Sequence, residues 1–251
     1  MATPPSASRF AALLRAEGLA VVEVGDWEDH NRNHKGPWGP VHGVMVHHTV
    51  TDAARHDTVG ICRKGYSTLP GPLCHGVITK DGRVHLVGYG RANHAGNGDD
   101  DVLQAVIAER ATLPPDNEAN TDGNRHFYGF ECENRGDGKD PWPEKQLLAI
   151  EKVSAAICRY HGWSERSVIG HLEWQPGKVD PRGFTMASMR TRIAARLKPA
   201  ATYTVSRGDT LWSIAATKLG DGGRWREIAD LNDLKTPDDI TPGQKLKLPK
   251  K

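Results

Sequence analysis

The sequence predicts an α/β domain built on a mixed central sheet flanked by helices, followed by a small βααβ unit. Three observations predict it. Strand-like runs intermix with amphipathic helical runs over the first two hundred residues, the pattern of a sheet covered by helices. A break at Leu197-Lys198-Pro199 ends a helical run before new strand-like residues begin, and proline disfavours helix in the residue before it. All 12 histidines lie between His30 and His171, with none in the last 80 residues, so metal or acid–base chemistry is expected in the front part and a different task in the tail.

Phe10, Leu13 and Leu14, followed by Gly18, mark one face and the stop of a short first helix. Residues 41–49 (VHGVMVHHT) are rich in β-formers and apolar on both faces, as expected of a central strand. Residues 75–79 and 83–87 flank Lys80-Asp81-Gly82, and Asp-Gly signals the tight turn of a hairpin. Val102 to Arg110 gives a weaker helix before Pro114-Pro115. Residues 127–133 (FYGFECE) alternate, with Tyr128, Phe130 and Cys132 on one side and Glu131 and Glu133 on the other. The strongest helical pattern spans Glu144 to His161: Leu147, Ile150, Val153, Ile157 and Tyr160 recur at helical spacing, and Gly162 supplies a stop. Ser167 to Ile169 is strand-like, and Met189, Ile193 and Leu197 mark the last helix before the break. Beyond it come a strand at Tyr203 to Val205, a helix face of Leu211, Ile214, Ala215 and Leu219, a second helix with Trp225, Ile228, Ala229 and Leu231, and a closing strand from Lys245 to Leu248.

The 33 Lys and Arg against 31 Asp and Glu leave a net charge of only +2, which argues against a dedicated nucleic-acid binder. The hydrophobic content of 37% is enough for a packed core. Cys62, Cys74, Cys132 and Cys158 form no CxxC pair, and a chain of this length needs no disulfide framework, so free thiols are expected. No run approaches the ~18 apolar residues of a bilayer span, so no stable membrane insertion is expected. The apolar stretch Phe10 to Leu14 is interrupted at Arg15 and makes a poor secretory signal, so synthesis in the cytoplasm is expected.

Four features converge on one candidate metal site: His47-His48-Thr49 closing the central strand, Gly170-His171 after a strand-like run, Asp180 nine residues on with Lys178 two before it, and the Glu131/Glu133 pair. Adjacent strand residues point to opposite faces, so His47 and His48 are not expected to share an ion. Two imidazoles and a carboxylate leave one tetrahedral position open, the ligand count of a catalytic zinc site. Such an ion lowers the pKa of bound water toward ~7 and polarises a carbonyl.

The runs VMVHHTV, LCHGVITKDGRVH, RANHAG, YGFECEN and GHLEWQPGKVDPRG, in this order, resemble the zinc-dependent N-acetylmuramoyl-L-alanine amidases, whose fold is shared with phage amidases and peptidoglycan-recognition proteins. The last run is most similar to endolysins of phages that infect actinobacteria. The resemblance covers roughly residues 20–197 and implies His47, His171 and Asp180 as ligands of one zinc ion, with His48 structural. Some relatives have Cys where Asp180 stands; a carboxylate is equally compatible with zinc. The resemblance chooses Glu131 over Glu133 as the acid–base residue and implies Lys178 as the charge that stabilises the oxyanion. His94 matches a position lining the substrate groove. His75 matches a core-strand position, and whether it faces the site is left open.

From Thr202 the tail (YTVSRGDTLWSIA, Asn232, ITPGQKLKLP) resembles a LysM domain almost end to end. That implies binding of N-acetylglucosamine-containing glycans between two loops, with Gly208, Asp209, Thr210 and Leu211 on one side and Thr236, Asp239 and Ile240 on the other. Helix capping is an equal reading for Asp209 and Thr210, and core packing the better one for Leu211 and Ile214. The expected layout is a catalytic unit over 1–198, a linker at 199–202 and the LysM unit at 203–249. Holding both units on one polymer makes catalysis effectively tethered.

The activity implied is hydrolysis of the amide between N-acetylmuramic acid and L-alanine, with peptidoglycan as partner. The alternative is a non-catalytic peptidoglycan-binding protein; a glycosidase using Glu131 and Glu133 is disfavoured because alternate strand residues project side by side. Action on a host wall after holin-dependent release fits the implied endolysin role, while a bacterial autolytic role stays open. Oligomeric state also stays open, with a monomer expected.

Overall fold

The computed structural model describes residues 2–199, 201–236 and 239–249. Its contacts divide the chain into two units, 1–197 and 198–251. In the first unit α1 (Ala7–Ala16) is capped by Ser6, whose Oγ accepts from Arg9 N, as an N-cap hydroxyl should. There follow β1 (Val21–Glu23), β2 (Gly43–His48), α2 (Thr58–Lys64), β3 (Gly76–Ile78), β4 (Val84–Leu86), β5 (Asn97–Gly98), α3 (Asp100–Ile107), β6 (Thr121–Asp122), β7 (Phe127–Cys132), α4 (Glu144–His161), β8 (Val168–Gly170) and α5 (Met186–Leu197).

The main sheet has the order β1-β4-β3-β7-β2-β8. Strands β3, β7, β2 and β8 run parallel, while β4 pairs antiparallel with β3 and parallel with β1, so the sheet is mixed. The Asp-Gly turn lies between β3 and β4, where Gly82 takes φ +83°. Every residue of β2 is buried, which explains why its sequence is apolar on both faces.

Alternation sorts the side chains between two cores. Val44, Val46, Tyr128 and Phe130 join Phe10 and Leu14 of α1, Ile150, Val153 and Ile157 of α4, and Met189 and Ile193 of α5. Met45, Phe127 and Ile169 face the other way, against Val102, Leu103 and Val106 of α3 and Trp174. The four cysteines are buried free thiols. Among the described residues no helix is long and apolar enough to cross a membrane.

The second unit pairs β9 (Ala201–Thr204) antiparallel with β10 (Lys245–Leu248) and packs α6 (Leu211–Leu219) and α7 (Trp225–Leu231) over them. Strand β9 begins at Ala201, inside the segment 199–202 read as linker from sequence; residue 200 of that segment lies outside the described residues. Asn232 ties the unit together: its Nδ2 donates to Ile228 O (2.7 Å) and Lys247 O (2.8 Å), and its Oδ1 accepts from Lys247 N (2.8 Å). One side chain thereby closes α7 and fastens it to β10.

Candidate metal centre

Strands β7, β2 and β8 are neighbours and parallel, so their carboxyl ends open on one crevice, the usual place for a ligand in an α/β sheet. His47 lies near the end of β2, in register with Glu131 on β7, and His171 follows directly on β8. Asp180 is brought back by the loop beyond the short turn His171–Glu173, where Leu172 N donates to Asp180 O at 2.7 Å. Glu173 closes that turn by accepting from Gly170 N at 3.0 Å, and Arg190 of α5 grips its carboxylate at 2.7 and 2.8 Å.

The result is a near-equilateral triangle of donor atoms. His47 Nδ1 lies 3.1 Å from His171 Nδ1 and 3.0 Å from Asp180 Oδ2, and His171 Nδ1 lies 3.1 Å from the same oxygen. Donors at ~2.0–2.1 Å from a tetrahedral zinc are about 3.3 Å apart, so this triad fits that ion in both spacing and chemistry. His47 and His171 are buried and Asp180 is mostly so. Burial pushes His47 down to about 4, so the imidazole is neutral near pH 7.

Outer contacts fix which nitrogen carries the proton. His94 Nε2 lies 3.2 Å from Phe127 O, which only accepts, so this nitrogen donates and His94 Nδ1 is left as an acceptor. His47 Nε2, 3.1 Å from that Nδ1, then donates, and the Nδ1 lone pair of His47 is free to face the triangle. His171 is set in the same way, its Nε2 lying 3.1 Å from Gln175 Oε1. Gln175 was not singled out from sequence; its signal is the four-residue spacing from His171, which is meaningful only once the turn is known.

Glu131, His94, His171, Lys178 and Asp180 line one cavity of about 240 Å³. Oε2 of Glu131 is buried with no hydrogen-bond partner, and burial, with the Asp180 charge adding to it, pushes the carboxyl up to about 8 against the opposing pull of Lys178. Glu133 does not share this cavity: its carboxylate accepts from Lys80 N at 3.0 Å. A larger cavity of about 300 Å³ lies elsewhere, but its Arg190 and Glu173 are committed to each other, and it gathers no triad of donors.

Other sequence-based expectations are adjusted. His94 is buried behind His47 rather than simply lining a groove, because Gly129 has no side chain to keep the ring away. Lys178, the charge expected to stabilise the oxyanion, is exposed at the cavity rim. His75 does not face the cavity: it is fully buried, its Nε2 donating to Gly90 O while its Nδ1 accepts from Gly129 N. His48 faces away from the triad and accepts from Arg182 N at 3.1 Å.

In the second unit the Leu211 side chain is buried in the core, leaving only its backbone to a ligand, because it is the first inward residue of α6. Thr210 caps α6 through a reciprocal pair of bonds with Ser213, and Asp209 accepts from Tyr203 Oη (2.8 Å) and Ser206 N (2.7 Å). Ile240 packs partly buried against the same core, Thr236 and Asp239 are exposed, and Gly208 takes φ +90° with open space around it.

Comparison with known proteins decides the family. Residues 37–183, more than half of the chain, match the N-acetylmuramoyl-L-alanine amidase family, and residues 203–249 match the LysM domain. The chain belongs to the N-acetylmuramoyl-L-alanine amidases. All three triad residues and Glu131 fall inside the matched amidase region. The N-acetylmuramoyl-L-alanine amidase XlyB of Bacillus subtilis is 26% identical over 172 residues, covering 62% of this chain and 53% of that protein. The chain thus spans about half the length of this curated relative. An endolysin amidase from Clostridium intestinale is similar over 71% of this chain and 96% of that one, with 16% identity and a TM-score of 0.46. The amidase AmiD from E. coli, in a complex with an anhydro-muramoyl peptide, covers 64% of this chain and 60% of its own, with 16% identity and a TM-score of 0.45.

Proposed function

We propose that this protein hydrolyses the amide joining N-acetylmuramic acid to L-alanine in peptidoglycan, with the LysM unit holding it on the glycan. The observation that carries the reading is the triangle of His47, His171 and Asp180 donors with an unpartnered, buried Glu131 oxygen lining the same cavity. These three residues would hold one zinc ion, which supplies Lewis-acid polarisation of water and of a carbonyl.

Glu131 is the group that moves protons. A carboxyl whose pKa lies near neutrality both takes a proton from attacking water and returns it to the leaving amine. Its Oε2 is held by no other group, so it is available to that water without first breaking a bond. Lys178 places a positive charge at the rim, where negative charge builds on the carbonyl oxygen. His94 and Gln175 keep the ligand imidazoles in one tautomer and orientation. In the LysM unit, the open surface at Gly208 with Thr236 and Asp239 is the proposed glycan contact. We place the protein as an endolysin made in the cytoplasm as a monomer and passed to the wall by a holin-type pore.

Purified cell walls treated with the protein test this directly. New L-alanine amines are expected without a chelator and none with it. Reducing sugar ends in their place would overturn the amidase reading, and wall binding with neither product would make the protein a recognition module.

A further inference from the structure

Val50 has a backbone that its side chain disfavours. Among the described residues, Val50, Glu109 and Asp233 are the non-glycine positions with left-handed φ, and only Val50 (φ +51°) is β-branched, which makes it a genuine outlier. Its neighbours hold it there. The Thr49 and Thr51 hydroxyls meet at 2.7 Å across it, Thr51 Oγ1 lies 3.0 Å from Thr58 Oγ1, and Thr49 Oγ1 accepts from Asn134 N at 3.2 Å. Strain persists where surroundings over-determine it, and it collects at ligand clamps.

Core packing does not account for this strain, because Val50 is 71% exposed. It borders the same cavity as Glu131, together with Tyr66 and Leu69, two further large apolar side chains that are 53% and 46% exposed. Apolar surface gathered at the mouth of a polar site marks a contact region. The amide proposed above carries a methyl group on its amine side, that of L-alanine.

We infer that Val50, backed by Tyr66 and Leu69, is a specificity-determining contact for that methyl, selecting L-alanine over glycine at the first stem position. The inference rests on the amidase reading. A single methyl in an apolar pocket discriminates by roughly 10–200-fold, and a half-open wall belongs at the low end.

Two muramoyl-peptides, one with L-alanine and one with glycine at the first position, are compared by kcat/KM for the zinc-loaded full chain and its Val50→Gly and Val50→Asn variants. Glycine and asparagine both tolerate left-handed φ, so each variant is expected to fold with an unchanged or higher Tm. The expected result is about a tenfold preference for alanine in the parent, falling toward one in both variants through loss on the alanyl substrate alone. A preference unchanged by the substitutions, a parent with no preference, or a lowered Tm in both variants would each overturn the inference. Failure of the parent to release an amine from either substrate would overturn the amidase reading itself.

Discussion

At the scale of single residues, Glu131 is distinguished by what it lacks: a buried carboxylate oxygen without a partner is costly, and folded chains retain one where it has work to do. Glu131→Gln keeps the shape and removes the proton carrier. It is expected to lower wall hydrolysis by about 10²–10⁴-fold while zinc content, measured by metal analysis, stays at the parent level. His94 acts one step back, through His47 Nε2. His94→Phe preserves an aromatic ring but removes the acceptor, and zinc affinity in a competition titration is expected to weaken by about 10–100-fold. The sequence singled out His47, His171, Asp180 and Glu131 by motif. Alternation alone left Glu131 and Glu133 equivalent, and they were separated in space by the Lys80 backbone, which occupies the second carboxylate.

At the scale of elements, the site depends on a strand that gives way to a side chain. A Cβ on Gly129 of β7 would collide with the ring of His94, so glycine here is required by close approach. Gly129→Ala is expected to destabilise the protein by about 1–3 kcal/mol in denaturant unfolding and to weaken zinc binding as His94→Phe does. Helix α4 carries a pH-sensitive contact at its last residue, His161, whose Nε2 accepts from Tyr128 Oη at 3.0 Å. Burial lowers this imidazole from 6.5 to about 4, although a helix C-terminus favours the charged form. The folded state therefore prefers the neutral ring. Its stabilising share is fully present above pH ~6.5 and is lost as pH falls toward ~4. Between pH 7.5 and 4.5 the thermal midpoint of His161→Gln is expected to fall less than that of the parent; an identical fall would refute the contact. Helix α4 was legible because a long, periodic apolar stripe has one solution. The start of β9 was misplaced because its first residues are exposed and carry no alternating pattern.

At the scale of the whole molecule, the division into two units predicts two responses to metal removal. A ligand that binds only the folded state stabilises it by about 4 kcal/mol at a thousandfold excess over Kd. Stripping zinc with a chelator is expected to lower the thermal transition of the amidase unit and leave that of the LysM unit in place, as read by calorimetry on the full chain; a shift of both would refute independent units. The uneven spread of histidines marked this division, although most of them serve packing and hydrogen bonding: His48, His75 and His161 are held by neighbours away from the triad. The sequence by itself determined the α/β class and the LysM tail through local periodicity and short motifs, and its resemblance to the amidases put forward His47, His171, Asp180 and Glu131 as the site proposed here. Only the tertiary structure decided that His94 orients His47 rather than simply lining the groove, that Lys178 stands exposed, and that Val50 is strained at the rim. Those depend on which distant backbone a side chain meets, and strand alternation fixes the face of a residue without fixing its neighbour.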